Sequence, residues 1–249
     1  MTEDSLPMLH TNAWRSSAWS ILQGSPAYQG AKRRSFRHLF DIGWPAVYAS
    51  YRLEHAMDEA LAVERVQGLF KRIDELTARR ETEGQPFGPF LKRTARSYAI
   101  HAHSSGNGLL PVRLRQDEVD AQELRVSALR VSDDLAEDLF DRVFAQRLYQ
   151  LAVDDLLEEV ERLHLNHWRE VIAWRQGEAP PPAADSDEAV VLLYKVRQAL
   201  RRHLLSAVRA TLPPEQLRDP SAVEREFSGI VRVLLEEPSV GPPRGERFP

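Results

Sequence analysis

Between Asp134 and Leu165 the chain reads DLAEDLFDRVFAQRLYQLAVDDLLEEVERLHL. Leu135, Leu139, Val143 and Leu151 recur at or near multiples of four residues, and Phe140, Phe144 and Leu148 fill the adjacent row. Charged residues take most of the other positions, which is the pattern of an amphipathic helix with one buried stripe. Ser132-Asp133-Asp134 ahead of it suits an N-cap, where a side-chain oxygen accepts from free amides and acids favour the helix dipole.

Outward from this helix the same period returns. Phe36 to Glu54, Asp58 to Arg80 and Phe87 to His103 read as three further helices, with Pro45 expected at a helix start or kink because it has no amide donor. Ser186 to Leu212, ended by Pro213-Pro214, and Ser221 to Glu236 complete the set. Strand-like alternation is scarce, with Pro111 to Leu114 the best candidate. The expected fold is all-α. Ser104-Ser105-Gly106-Asn107-Gly108 has linker chemistry, and Pro180-Pro181-Pro182 cannot be helical. The expected organisation is a domain at 1–103, a linker at 104–131, a second domain at 132–236 and a tail at 237–249.

Composition narrows the function classes. The 249 residues include no cysteine, which removes disulfides, iron–sulfur clusters, thiolate zinc sites and cysteine nucleophiles. No apolar run reaches the roughly 20 residues needed to cross a bilayer, and the first ten residues lack the form of a secretion signal, so a cytoplasmic protein is expected. The net charge of −4 disfavours indiscriminate nucleic-acid coating. It is unevenly spread: residues 1–103 hold 14 Lys and Arg against 11 Asp and Glu, and the remainder 19 against 26.

Catalytic signatures are absent: there is no phosphate-binding GxxxxGK[ST], no GxGxxG, no GxSxG and no HExxH. His101-x-His103 and His164-x-x-His167 offer nitrogen ligands, but no carboxylate of suitable spacing completes a metal site. Asp154-Asp155 and Glu158-Glu159 read as a solvated acidic ridge, and the tryptophans as core anchors. Neither an enzyme nor a bound cofactor or metal is expected.

Six motifs in order carry a family resemblance. Trp14-Arg15-Ser16-Ser17 through Trp19-Ser20-Ile21-Leu22, then Phe36 to Phe40 and Trp44-Pro45-Ala46-Val47-Tyr48, form the first. Glu64-Arg65-Val66-Gln67-Gly68-Leu69-Phe70 is the second and Phe87-Gly88-Pro89-Phe90-Leu91 the third. Leu139-Phe140-Asp141-Arg142 follows, then Ser186-Asp187-Glu188-Ala189-Val190 with Lys195 to Arg202, and finally Asp219-Pro220 through Glu226. Together they resemble extracytoplasmic-function sigma factors of the sigma-70 family, of the planctomycete and myxobacterial type with a C-terminal extension.

The resemblance implies a first helical domain that docks on the clamp of core RNA polymerase and helps open promoter DNA. It implies a second domain whose helix-turn-helix reads the upstream promoter element in a major groove. Glu64 and Gln67 would then face the polymerase. Lys92, Arg93 and Arg96 would contact promoter DNA in the first domain, and Lys195, Arg197, Arg201 and Arg202 would do so at the upstream element. An anti-sigma factor or another regulatory complex is a further partner that the resemblance implies.

The chain departs from the family pattern at three places. Leu61-Ala62-Val63 stands where acids are usual. His101-Ala102-His103-Ser104-Ser105 replaces a basic tail. Pro180 to Asp185 occupies the place of the helix that braces the reading helix, so the helix-turn-helix is degenerate, and Val191-Leu192-Leu193 makes its first turns apolar. These departures open an alternative, a sigma-derived adaptor that has lost promoter reading and serves as a protein-binding subunit of another complex.

Overall fold

The computed structural model describes residues 17–23, 29–77, 84–101, 114–128, 139–175 and 187–235. The elements are α1 (Ala18–Gln23), α2 (Gln29–Leu53), α3 (Glu59–Thr77), α4 (Phe87–His101), α5 (Gln116–Ala128), α6 (Leu139–Arg162), α7 (Asn166–Arg175), α8 (Asp187–Ala210), α9 (Pro214–Leu217) and α10 (Pro220–Leu235). No strand occurs among the described residues, and the fold is all-α as expected. Among them, no helix is long and apolar enough to cross a membrane. The expected N-cap at Ser132-Asp133-Asp134, the Ser104–Gly108 linker, the Pro180–Asp185 break and residues 111–113 of the Pro111–Leu114 strand candidate lie outside the described residues.

Two helices organise the packing. α2 touches α1, α3, α4, α5 and α6, and α6 touches α4, α7, α8 and α10. Their apolar rows come from the helical period: Leu139, Phe140, Val143, Phe144, Leu148, Ala152 and Leu156 are all buried on α6. Trp44, Tyr48, Phe70, Phe87 and Phe90 lie together in the core with no more than 6% exposure, as their positions on apolar faces predict. Phe40 and Phe70 meet edge to face at 4.9 Å, and Trp19 lies 4.9 Å from Phe90. Gly43 in α2 lets α4 come close, since a methyl there would collide with Leu91 and lie 3.2 Å from Phe87.

This core runs without a break from Trp19 to Ile230 and includes Phe40 and Phe87 together with Phe140, Leu204 and Phe227. It therefore spans the boundary expected at 103–132. Within the stretch expected as a linker, residues 116–128 form α5, whose Val119 and Val126 are buried in the same core. A second, smaller cluster joins Val153, Leu156 and Val160 of α6 to Val171 and Ile172 of α7 and Val196 and Ala199 of α8.

Pro45 neither starts nor ends a helix: it sits inside α2, which continues on both sides. A proline there deprives the carbonyl of Asp41, four residues earlier, of its helical donor. Arg147 of α6 supplies one, its Nε donating to the Asp41 oxygen at 2.9 Å. Burial lowers the pKa of the Arg147 guanidinium, and nearby Asp154 and Asp41 oppose that shift. The helix is carried through by a side chain from its neighbour.

A further polar tie joins α2 to α5. Glu123 accepts from the Tyr48 hydroxyl at 2.7 Å and from Arg52 Nε at 2.9 Å, with a second Arg52 nitrogen at 2.5 Å. The hydrogen bonds from Arg52 hold the Glu123 carboxyl below its ordinary range. Helix ends also satisfy one another. The Phe87 amide at the start of α4 donates to the Thr211 carbonyl at 2.8 Å, Trp19 Nε1 donates to the Gln85 carbonyl at 2.7 Å, and the Ser17 hydroxyl donates to the Leu212 carbonyl. These bonds fix the C-terminal end of α8 against α1 and α4.

Replacing Arg147 with Met should lower stability by about 1–3 kcal/mol, because the partly buried Asp41 carbonyl is left without a donor. In a Pro45→Ala background a backbone amide is restored, and the same replacement should cost clearly less. Urea unfolding of the four proteins in this cycle measures the difference. Equal costs in both backgrounds would show that the Arg147 bond does not compensate for Pro45.

Candidate functional site

The residues expected to meet polymerase lie on α3. Ala62, Val66, Leu69, Phe70 and Ile73 form its buried face, at the spacing of one helical side. Glu64 falls on the opposite side and is exposed, with no ion pair to a described residue, while Gln67 is half-buried beside that face. The two are one turn apart, so they share an edge of the helix.

The cations expected on DNA are differently placed. On α4, Lys92 donates to Asp141 of α6 at 2.5 Å, and Arg96 lies 3.7 Å from Glu54 of α2. The Glu54 side chain is only 10% exposed, so Arg96 balances a nearly buried carboxylate. Arg93 alone of the three is exposed without an ion pair to a described residue.

On α8 the same division appears. Arg201 donates to Glu224 of α10 at 2.9 Å, and its guanidinium sits 5.1 Å above the Phe227 ring. Arg202 donates to both oxygens of Glu159 at 2.9 and 2.6 Å, and His203 shares the nearer oxygen at 2.6 Å. Lys195 and Arg197 are exposed without an ion pair to a described residue. Two of the three cations on α4 and two of the four on α8 are thus paired with acids of the same chain.

Glu159 corrects the expectation of a solvated acidic ridge. Asp154, Asp155 and Glu158 are exposed, but Glu159 turns toward α8 and is half-buried there. Burial pushes its carboxyl up, the bonds from His203 and Arg202 push it down, and the balance lies below the ordinary value. Helical periodicity marks which residues share a face, and it carries no signal for a partner more than forty residues away.

Apolar surface appears at the start of α8. Val190, Val191 and Tyr194 are exposed, while Leu192 and Leu193 are half-buried against the smaller cluster. α7 packs on α8 through that cluster, and the residues joining them, 176–186, lie outside the described part. His164 and His167 are exposed at the turn between α6 and α7, and His103 is not described. An open apolar groove along α10 is lined by Phe227, Ser228, Val231, Arg232 and Leu235.

No protein-family model matches this chain, and no curated protein or solved structure matches it either.

The Glu159 bonds give a pH signature. A carboxyl held below its unfolded value stabilises the fold above that value, 4.5 here, and the contribution is lost as pH falls through the folded-state pKa. Glu159→Gln should therefore lower stability by about 1 kcal/mol at neutral pH and by progressively less in acid. Thermal melts of both proteins from roughly pH 3 to 7 test this. A gap that stays constant across the range would assign the loss to something other than the carboxylate charge.

Proposed function

We propose that this chain is a sigma-factor-like transcription subunit that binds core RNA polymerase through α3 and no longer reads an upstream promoter element. It is non-catalytic, works in the cytoplasm with the polymerase, and requires no cofactor. The motif order supports the family reading, and the exposed Glu64 beside Gln67 supports the docking edge. One observation carries the loss of upstream reading: Arg201 and Arg202 are held by Glu224 and Glu159. For either arginine to reach a phosphate, a formed ion pair must be given up, and the released carboxylate would then repel the DNA. Promoter selection is left to Arg93 and the first helices, or to a partner, while Lys195 and Arg197 offer phosphate contact without base reading.

A second reading, the sigma-derived adaptor that serves another complex, is favoured by the exposed Val190, Val191 and Tyr194. Apolar side chains on a helix expected to face a groove suit protein better than phosphate.

Co-purification of the full chain with core polymerase, followed by promoter-directed transcription in vitro, separates the two. The wild-type chain should bind, and Glu64→Lys should weaken the complex by about 1–3 kcal/mol. No binding by the wild type would transfer the chain to the adaptor reading. On its own, the full chain should bind duplex DNA weakly, with an affinity that falls steeply as salt is added. A preference for one sequence of roughly a hundredfold would mean that α8 still reads bases.

A further inference from the structure

We infer that α10 is an autoinhibitory strap on α8: Glu224 and Phe227 occupy Arg201 where a DNA phosphate would sit, so the seating of α10 sets how many cations α8 offers to a nucleic-acid backbone. The inference rests on the proposed reading of α8 as a helix that meets phosphate without reading bases.

The two committed arginines of α8 are held differently. Arg202 reaches both oxygens of Glu159 on α6, a side chain only 23% exposed, and His203 adds a further contact to it. Arg201 bonds to Glu224 of α10 at 2.9 Å, and the two side chains are 50% and 55% exposed. An ion pair in that setting is worth little, because water competes for both charges and salt screens them. The Arg202 pair belongs to the packed framework, whereas the Arg201 pair is labile.

α10 is placed to make the labile pair. Ala222, Val223, Phe227 and Ile230 form its buried face, which fixes its rotation against α6 and α8. Glu224 falls on the flank of that face. Phe227, one turn on, bears on the same arginine, whose guanidinium carbon lies 5.1 Å from the ring centroid. A carboxylate accepts from the guanidinium while a ring covers its face, and both contacts suit an arginine better than a lysine. Carboxylate and phosphate offer arginine the same kind of charged oxygen acceptor, so Glu224 is an internal competitor for phosphate.

The covered cation has an open neighbour. Arg197 lies one turn before Arg201 on the same stripe, is exposed and has no ion pair to a described residue. With Glu224 withdrawn, that stripe offers two adjacent cations where it now offers one. Contacts of this kind add affinity without sequence choice, so the strap controls grip and does not restore upstream reading.

Titration of the full chain onto a fluorescent duplex of arbitrary sequence, followed by anisotropy at several salt concentrations, tests the inference. Each phosphate neutralised adds about 0.9 to the steepness with which log affinity falls against log salt. Glu224→Gln should raise affinity at low salt by about threefold to tenfold and steepen the fall by about 0.9. Its helical circular dichroism and Tm should change little, since Glu224 is exposed. In an Arg201→Gln background the same replacement should leave the slope where it was. A slope indifferent to Glu224→Gln would overturn the inference. Equal steepening in both backgrounds would overturn it too, by assigning the effect to overall charge, as would an absence of binding by either protein at low salt. Polymerase binding and preference among duplex sequences are separate readouts: their failure counts against the proposed function, and the salt slope alone decides the strap.

Discussion

The carbonyl of Asp41 is the point on which the packing of this chain turns. Pro45 removes its helical donor in the middle of the longest-reaching helix, at a position where a proline ordinarily costs about 3 kcal/mol. Arg147 restores a donor only if α6 lies alongside α2, so the missing amide is satisfied only while the two helices with the most extensive contact in the fold stay packed. Gln122 of α5 also reaches the Pro45 carbonyl, at 3.5 Å, and Gly43 leaves room for α4. Three neighbours thus converge on one turn of α2. The aromatic core then fills the space around that turn, with Phe40, Trp44 and Tyr48 contributed by α2 itself.

From that centre the constraint passes to α8. Its C-terminal end is tied by Thr211 and Leu212 to the starts of α4 and α1, and its middle by Arg202 and His203 to Glu159. Each tie satisfies a polar group that would otherwise be partly buried and alone, which is worth more than the same contact on an open surface. The first turns of α8 have only the small cluster with α6 and α7 beneath them. The helix is held firmly where its cations are committed and presents apolar groups where they are not.

Much of this was legible in the residues. Helical period located α2, α3, α4, α6, α8 and α10, because a buried stripe must recur at the helical repeat whatever lies against it. The aromatic positions were legible for the same reason. α5 was not: QDEVDAQELRVSA is mostly polar, and its inner face is only Val119, Gln122 and Val126, with an amide in the middle. The pairings of Lys92 with Asp141, Arg96 with Glu54 and Arg202 with Glu159 were also hidden. Each joins different helices, and a single sequence shows which side chains share a face without showing what that face meets. Seven cations therefore read alike as DNA ligands, and only their partners tell them apart.

That difference bears on what α8 can do. An exposed arginine with no partner gains phosphate contact at the cost of its hydration alone. Arg202 would in addition leave a half-buried Glu159 with His203 as its remaining partner, and giving up a charge-assisted bond of that kind costs about 1 kcal/mol or more. A single phosphate contact returns about as much at low salt and less at physiological salt, so the exchange yields little. Val190 and Tyr194 face the opposite balance. Their exposed area gains nothing from phosphate, and each is worth about 1 kcal/mol or more when another apolar surface covers it. The free energy available to the first half of α8 is therefore greater against a protein surface than against DNA, and Lys195 and Arg197 are left to choose an acidic neighbour within that protein contact.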